Sequence, residues 1–527
     1  MSKAGLTGEG ALWRRDPDAP VMTCSIAALL RQRAMEDGGR VAMTWREGEG
    51  LGRMTYSEAL QAAETAARWM LTHAEPGDRV AVWGRNSWQW VIAEYACAMA
   101  GLVIASWNTS WTDYEVTHAL GLTEPKIILA EADTRGVDLM ERARALAGDR
   151  VVENLADLAT LRGAPDRPLP DPGPDAPFLI QFTSGTTGRA KGALHLQRTA
   201  LNGGALRVGD GGGAPDDVFL NGAPLHHMGG SISLVLGVLV AGGTYALMGR
   251  FDAGELIRLI KDTGATRTGG VPTMVIAVLE HPDFPKEGFQ MRGMGIGAAD
   301  VPTPLIQRMI EAFRAPVANT YGQSECPMIS KTSPSDPVEM VVRSVGRPAP
   351  QNDVKVVDIA TGKTVGIGEV GEICARSPTQ MHGYFNMPEA TAQTIDAEGW
   401  LHTGDLGSFD AEGYLYVRGR ARETIIRGGE NIYPIEVETV LMQHPAVGAV
   451  AAVGVPDPKW GHQVGAAIIL REGMTATAEE LDAFVRERLA HFKAPRHWLF
   501  MDAFPMTASG KVRKVELAES FIPAAAS

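Results

Sequence analysis

Residues 178–182, FLIQF, are a short apolar run that stops at a cluster of glycines and hydroxyls, and runs like it recur along the chain. They alternate with longer segments whose apolar positions fall at helical spacing. TYSEALQAAETAARWMLTH (residues 55–73) reads as an amphipathic helix, GDRVAVWG (77–84) as a buried strand and WVIAEYACAMAG (90–101) as another helix. This alternation predicts α/β layering with a largely parallel sheet. The connector GAPDRPLPDPGPDAP (163–177) is too rich in proline for regular structure, since each proline fixes φ and removes a donor. NGGALRVGDGGGAPDD (202–217) reads as a second glycine-rich loop ahead of the strand in VFLNGAPL (218–225). FDAGELIRLIKDTGATRTGGVPTMVIAVLEH (251–281) reads as a further α/β unit, and KVVDIATGKTVGIGEVGEICAR (355–376) carries hairpin signals. After GYLYVRGRARETI (413–425) the order becomes helix, strand, strand, helix, strand. The expected fold is therefore α/β: a large, multi-subdomain N-terminal α/β domain over residues 1–419, and a small C-terminal α+β domain over residues 420–527.

Bulk properties narrow the function classes. At 527 residues, 45% hydrophobic and 21% charged, the chain has the composition of a globular protein of at least two domains. A net charge of −13 argues against an extended nucleic-acid footprint, which needs a clustered excess of Lys and Arg. The four cysteines lie far apart without zinc-ligand spacing, so reduced, mostly buried thiols are expected. SISLVLGVLVAGGTYALMG (231–249) is the segment nearest to a membrane span, but its hydroxyls and central Gly-Gly predict a buried helix followed by a strand. The N-terminus lacks the apolar core of a secretory signal, and the expectation is a cytoplasmic protein without integral membrane association.

The stretch after FLIQF, TSGTTGRAKG (183–192), combines three glycines, four hydroxyls and two cations. Glycine tolerates the φ > 0 conformations that aim successive amides at one anion, and Lys191 adds a full charge. The Walker pattern does not fit, because Arg189 and Ala190 separate Lys191 from Gly188 and a glycine follows it.

Eight stretches in order resemble the adenylate-forming superfamily of acyl-CoA synthetases, luciferases and peptide-synthetase adenylation domains. They are TSGTTGRAKG, PLHHMGG (224–230), GIGAAD (295–300), NTYGQSE (319–325), GEVGEI (368–373), WLHTGDLG (400–407), YVRGRARETIIRGGENIYPIEVE (416–438) and PMTASGKVRK (505–514). The resemblance covers nearly the whole chain. It implies an AMP-forming acyl-CoA synthetase that joins a carboxylic acid to the α-phosphate of ATP, releases pyrophosphate, and passes the acyl group to CoA.

The resemblance also implies roles. Thr183, Ser184, Gly185, Thr186, Thr187, Gly188 and Lys191 would hold the phosphates. Gly297, Ala298, Ala299, Asn319, Tyr321, Gly322 and Ser324 would contact the nucleotide, with Tyr321 against the adenine and Ser324 standing where threonine is usual. Glu325, with Thr183, would hold Mg²⁺, a hard cation suited to oxygen donors. Asp405 would accept from the ribose hydroxyls, and Arg420 would add a second nucleotide contact. Lys511, in TASGKVRK, resembles the catalytic lysine that bridges the carboxylate and the α-phosphate. Arg422 takes the hinge position, where Asp or Lys is usual, and makes the C-terminal domain mobile. Gly428, Gly429 and Glu430 match the segment lining the CoA thiol tunnel. His227 and Gly295 would border the acyl pocket, with His226 replacing the usual aromatic neighbour of His227.

The pocket segments GIGAA and GGVPT are small and apolar, which permits a medium-chain, branched, alicyclic or aryl acid; no cationic residue stands out as partner for a second carboxylate. A stand-alone adenylating enzyme that loads a carrier protein is the alternative, although no acidic partner for an α-ammonium occurs within residues 224–240. The resemblance allows a homodimer.

Overall fold

The computed structural model describes residues 4–132, 136–163, 167–183, 190–209, 213–297, 301, 303–427, 430–506 and 512–521. The alternation in the first third becomes a seven-stranded sheet whose centre, Val103–Ser106, Arg79–Trp83 and Ile127–Ala130, is parallel. These strands are almost wholly buried, and they read as continuous apolar runs because helices cover both faces. The helix Tyr56–Met70 starts at a capping box in which the Thr55 hydroxyl accepts from Glu58 N and the Glu58 carboxylate accepts from Thr55 N. Its alanine stripe packs with the helix Trp88–Ala100 into the largest apolar core.

A nine-stranded sheet stands beside the first. Its strands Val41–Glu47, Thr244–Leu247, Val218–Asn221, Arg267–Gly270, Gly293–Gly297 and Val317–Gln323 run parallel, with antiparallel strands at each edge. A third, antiparallel sheet ends on Leu401–Phe409 paired with Leu415–Arg420. The next strand, Ile425–Arg427, belongs to a separate five-stranded sheet with Glu430–Ile432, Gly461–Leu470, Val447–Asp457 and His497–Phe500. That sheet has its own core around Val437, Leu441, Val464 and Leu481.

The 231–249 segment forms a π-helical turn Ser231–Leu236, a short helix Gly237–Ala241 and a strand Thr244–Leu247, and among the described residues no helix is long and apolar enough to cross a membrane. One expectation fails. Residues 202–208, read as the start of a glycine-rich loop, complete the helix Gln197–Val208. The glycines serve close packing: a Cβ at Gly204 would stand 2.6 Å from Gly237 N, so only glycine lets this helix lie against the π-helical turn. Tertiary approach overrides the low helix propensity of glycine here.

Candidate active site

Candidate residues from distant motifs meet where strands of the three larger sheets end. In the hairpin Pro177–Thr183/Lys191–Leu196, Thr183 lies opposite Lys191. Lys191 Nζ sits 4.7 Å from the centre of the Tyr384 ring, and the Tyr384 hydroxyl donates to Glu325 Oε1 at 2.7 Å. Burial, followed by the charge of Glu325, raises the Tyr384 pKa, so this hydroxyl remains a donor. Glu325 is also held through its backbone, its carbonyl accepting from Met381 N at 2.8 Å. One residue earlier, the Ser324 carbonyl is 2.7 Å from His195 Nε2. Burial pushes His195 down to about 4, which keeps the ring neutral.

A second set gathers on Asp405, a buried residue. Tyr321 donates to its Oδ2 at 2.7 Å, and Arg420 Nε lies 3.0 Å from its Oδ1. The sheet register accounts for the second contact, since Asp405 faces Arg420 across the Leu401–Phe409/Leu415–Arg420 pair. Gly404 has φ +70°, a turn that side chains rarely adopt, and its N–H donates to Glu372 Oε1 at 3.0 Å. The other Glu372 oxygen is 2.8 Å from His402 Nδ1, with Cys374 Sγ 3.5 Å from the same nitrogen. Spacing in the sequence had not joined these three residues. They brace the turn that presents Asp405, and burial pushes the Cys374 thiol up to about 12.

Asn319 is held by the backbone around it. Its amide donates to the carbonyls of Val341 at 3.3 Å and Ser344 at 3.1 Å, so its donors are committed to the backbone. Gly322 packs against the carbonyl of Pro327, and a Cβ at Gly297 would stand 2.8 Å from the Thr320 carbonyl. Arg422 is exposed in the turn Ala421–Glu423 that joins the third sheet to the C-terminal one, and Glu430 opens the strand Glu430–Ile432. Ser184, Gly185, Thr186, Thr187, Gly188, Ala298, Ala299, Gly428, Gly429 and Lys511 lie outside the described residues.

The PLHHMGG segment is a turn rather than a regular element. His227 N donates to the Pro224 carbonyl at 3.0 Å, and Gly229 N is 3.2 Å from His227 Nδ1. Asn86 braces it through donation to the Ala223 carbonyl at 2.9 Å and acceptance from Leu225 N at 2.8 Å. Gln181, from the strand Pro177–Thr183, donates to the His226 carbonyl at 2.5 Å. Burial, with His227 alongside, pushes His226 down to about 4. Below the turn, the Ser231 hydroxyl donates to the fully buried Glu94 at 2.8 Å, and burial pushes that carboxyl up to about 8.

Beside this turn a cavity of about 110 Å³ runs along the nine-stranded sheet, under the helix Gln197–Val208. Gly295 lines it, as do Ser233, Leu234 and Thr320. So does Arg207, which the misread loop had concealed and which belongs to none of the recognised motifs.

Two family models match the sequence: the AMP-binding enzyme model over residues 30–385 and the AMP-binding enzyme C-terminal domain model over residues 436–511. The chain belongs to the AMP-binding enzyme family. It is an adenylate-forming enzyme of the acid–CoA ligase type. The mouse (Mus musculus) mitochondrial medium-chain acyl-CoA ligase ACSF2 is 31% identical over 89% of this chain and 83% of its own length. The Bacillus subtilis putative acyl-CoA synthetase YngI is also 31% identical, over 96% and 98%. A Rhodococcus jostii CoA ligase for a bicyclic dioxo-indenyl propanoyl group is 33% identical over 93% and 97%. Among solved structures, ATP-bound MatB from Rhodopseudomonas palustris superposes with a TM-score of 0.86 at 28% identity, covering 95% of this chain and 99% of MatB. Apo MatB superposes with a TM-score of 0.76. In its overall arrangement this chain is thus nearer to the ATP-bound form of that protein.

Proposed function

We propose that this AMP-forming ligase activates a carboxylic acid of medium-chain, branched, alicyclic or aryl type, and that the residues named above divide the work of its two half-reactions. The observation that carries the reading is the convergence of Tyr321 and Arg420 on Asp405, beside Glu325 anchored by Tyr384. Three motifs far apart in sequence thereby supply donors and acceptors of the kind a nucleotide needs.

In the first half-reaction a carboxylate oxygen attacks the α-phosphorus of ATP. An O–P bond forms, the α–β phosphoanhydride breaks, and pyrophosphate leaves with the bonding electrons. Lys191 and the 183–192 loop stabilise the charge that grows on pyrophosphate, and Lys511 sits between the two anions that must meet. Asp405 takes the ribose hydroxyls, which requires Tyr321 and Arg420 to share or yield its oxygens; Tyr321 then lies along the base. Asn319 acts through the strand it holds.

Thr183 and Glu325 offer the hard oxygen donors that Mg²⁺ prefers, and among the described residues Glu325 Oε2 has no hydrogen-bond partner, which suits the ion. When bound, Mg²⁺ neutralises charge on the phosphate oxygens. Tyr384 orients the Glu325 carboxylate for that contact.

In the second half-reaction the thiol sulfur of CoA attacks the acyl carbon, its proton goes to solvent, and AMP departs with the C–O electrons. We assign residues 420–527 as the mobile domain, turning about Arg422, so that Gly428, Gly429 and Glu430 replace Lys511 at the acyl carbon. His227 and Gly295 border the acyl group. A homodimer and a cytoplasmic site of action are compatible with this chemistry.

The test incubates the protein with ATP, Mg²⁺, CoA and a panel of carboxylic acids, and follows pyrophosphate and acyl-CoA together. Stoichiometric formation of both supports the reading. Pyrophosphate without thioester on any acid, together with acylation of a holo carrier protein, would replace CoA by a carrier as the acceptor.

A further inference from the structure

The cavity beside Gly295 is lined by four cations, Arg207, Arg267, Arg292 and Lys331, and among the described residues no carboxylate lines it. Three of the four have strong partners close by. Arg267 and Arg292 converge on the buried Asp217 at 2.7 and 3.1 Å, and Arg292 also pairs with Asp216 at 2.7 Å. Lys331 Nζ donates to the carbonyls of Leu206, at 2.9 Å, and Gly209, at the C-terminal end of the Gln197–Val208 helix. The helix end, where a basic side chain would ordinarily satisfy carbonyls, is therefore served by Lys331.

Arg207 differs from these. Its only hydrogen bond among the described residues is Nη1 to the neutral Thr320 hydroxyl, at 2.7 Å, although a guanidinium carries five N–H donors. It forms no ion pair among them. Its Nη2 lies over Gly295, where any Cβ would collide with it, so the glycine of the acyl-pocket strand is what lets the guanidinium reach across the sheet. Burial lowers the pKa of the half-buried Arg207, the response of a partly desolvated cation with no anion beside it among the described residues. Keeping such a charge beside three further cations is unfavourable unless something of opposite sign arrives to meet it.

The position of Arg207 relative to the nucleotide end sets the geometry. Gly297 ends the same strand, ahead of the residues proposed for the nucleotide, and two residues of strand rise separate it from Gly295, roughly 7 Å. An acid activated at the Gly297 end would place its far terminus at Arg207 if it were a short chain of several methylenes.

We propose that Arg207 binds a second carboxylate at the far end of the acid, so that the preferred substrates are short dicarboxylic acids activated at one end only. This deepens, and rests on, the acid–CoA ligase reading. A guanidinium matches a carboxylate with two parallel hydrogen bonds, which favours it over a neutral ester or an alkyl terminus of equal length. The Thr320 hydroxyl orients the group, and an alkyl chain pressed against it would remove its solvent without replacing the lost contacts.

The experiment compares adipate, monomethyl adipate and hexanoate with ATP, Mg²⁺ and CoA, measuring kcat/KM by acyl-CoA formation for the wild type, Arg207→Met and Arg207→Lys. The wild type is expected to favour adipate over its monomethyl ester, and Arg207→Met to lower that ratio by about a hundredfold, because a site built for a polar partner discriminates strongly. Arg207→Lys should fall between them, since it keeps the charge and loses the paired geometry. Should Arg207→Met fail to fold, the wild-type ratio and that of Arg207→Lys carry the test. Thioester formation with a wild-type ratio near one, or a loss in Arg207→Met by one common factor for all three acids, overturns the assignment of Arg207 alone. Absence of thioester from every acid overturns the ligase reading and this assignment with it.

Discussion

The two ends of the candidate cleft are built on opposite principles. At the nucleotide end, polar groups are already paired with one another: Asp405 with Tyr321 and Arg420, Glu325 with Tyr384. At the proposed acyl end, a small-residue strand lines a cavity in which the one hydrogen bond of Arg207 among the described residues goes to the Thr320 hydroxyl. Paired groups arrive preorganised and suit the part of the reaction common to every substrate. The proposed role of Arg207 puts a charge without an ion pair among the described residues at the part that varies. The comparison teaches that chemistry and specificity can be separated within one cleft by where charge is compensated.

The comparison can be broken most severely at Lys511. Lys511→Ala should reduce pyrophosphate release by about a hundred- to a thousandfold, while thioester formation from supplied acyl-adenylate and CoA survives. Equal loss of both half-reactions would mean that the lysine is not confined to adenylation.

Asp405→Ala comes next. It removes the acceptor on which Tyr321 and Arg420 converge, and should cost about 1–3 kcal/mol of ATP interaction, read as a raised KM for ATP. The loss should be the same factor for every acid tested, in contrast to Arg207→Met, whose effect should depend on the acid. A loss that varied from acid to acid would erase the distinction between the two ends.

A smaller effect is expected for Tyr384→Phe, which removes one hydrogen bond to Glu325. Roughly 0.5–1.5 kcal/mol would appear as a severalfold higher Mg²⁺ concentration for half-maximal rate. An unchanged Mg²⁺ dependence would show that Tyr384 does not orient Glu325 for the ion.

The least effect concerns the buried Glu94 and is read as stability. The folded pKa of Glu94, about 8, lies above its ordinary value because of burial. The neutral form is therefore favoured in the folded state, and its contribution, complete at pH values below the unfolded carboxyl pKa, is lost as pH rises through the window up to about 8. Glu94→Gln keeps the shape and cannot ionise. Its Tm relative to wild type should climb between pH 5 and pH 8, and a flat difference across that range would refute the protonated state of Glu94.

Much of this architecture was legible without coordinates. FLIQF announced the strand Pro177–Thr183, and the apolar spacing of residues 55–73 announced the helix Tyr56–Met70. Such features are local: apolar period, caps and turn residues act within a few positions, so the sequence alone determined the element order, the α/β class and the motifs that place the chain in its family. Segment 202–208 escaped because glycine is a poor helix former in isolation, and only the approach of Gly237 reveals why glycine is there. With that helix went Arg207, whose meaning depends on Thr320, Gly295 and the absence of a neighbouring acid among the described residues. The meeting of Tyr321, Asp405 and Arg420, the protonated Glu94 and the bracing of Gly404 by Glu372 are likewise decisions of the tertiary structure. Coulombic and desolvation energies depend on distance and burial in space, and neither quantity is written in the spacing of residues along a chain.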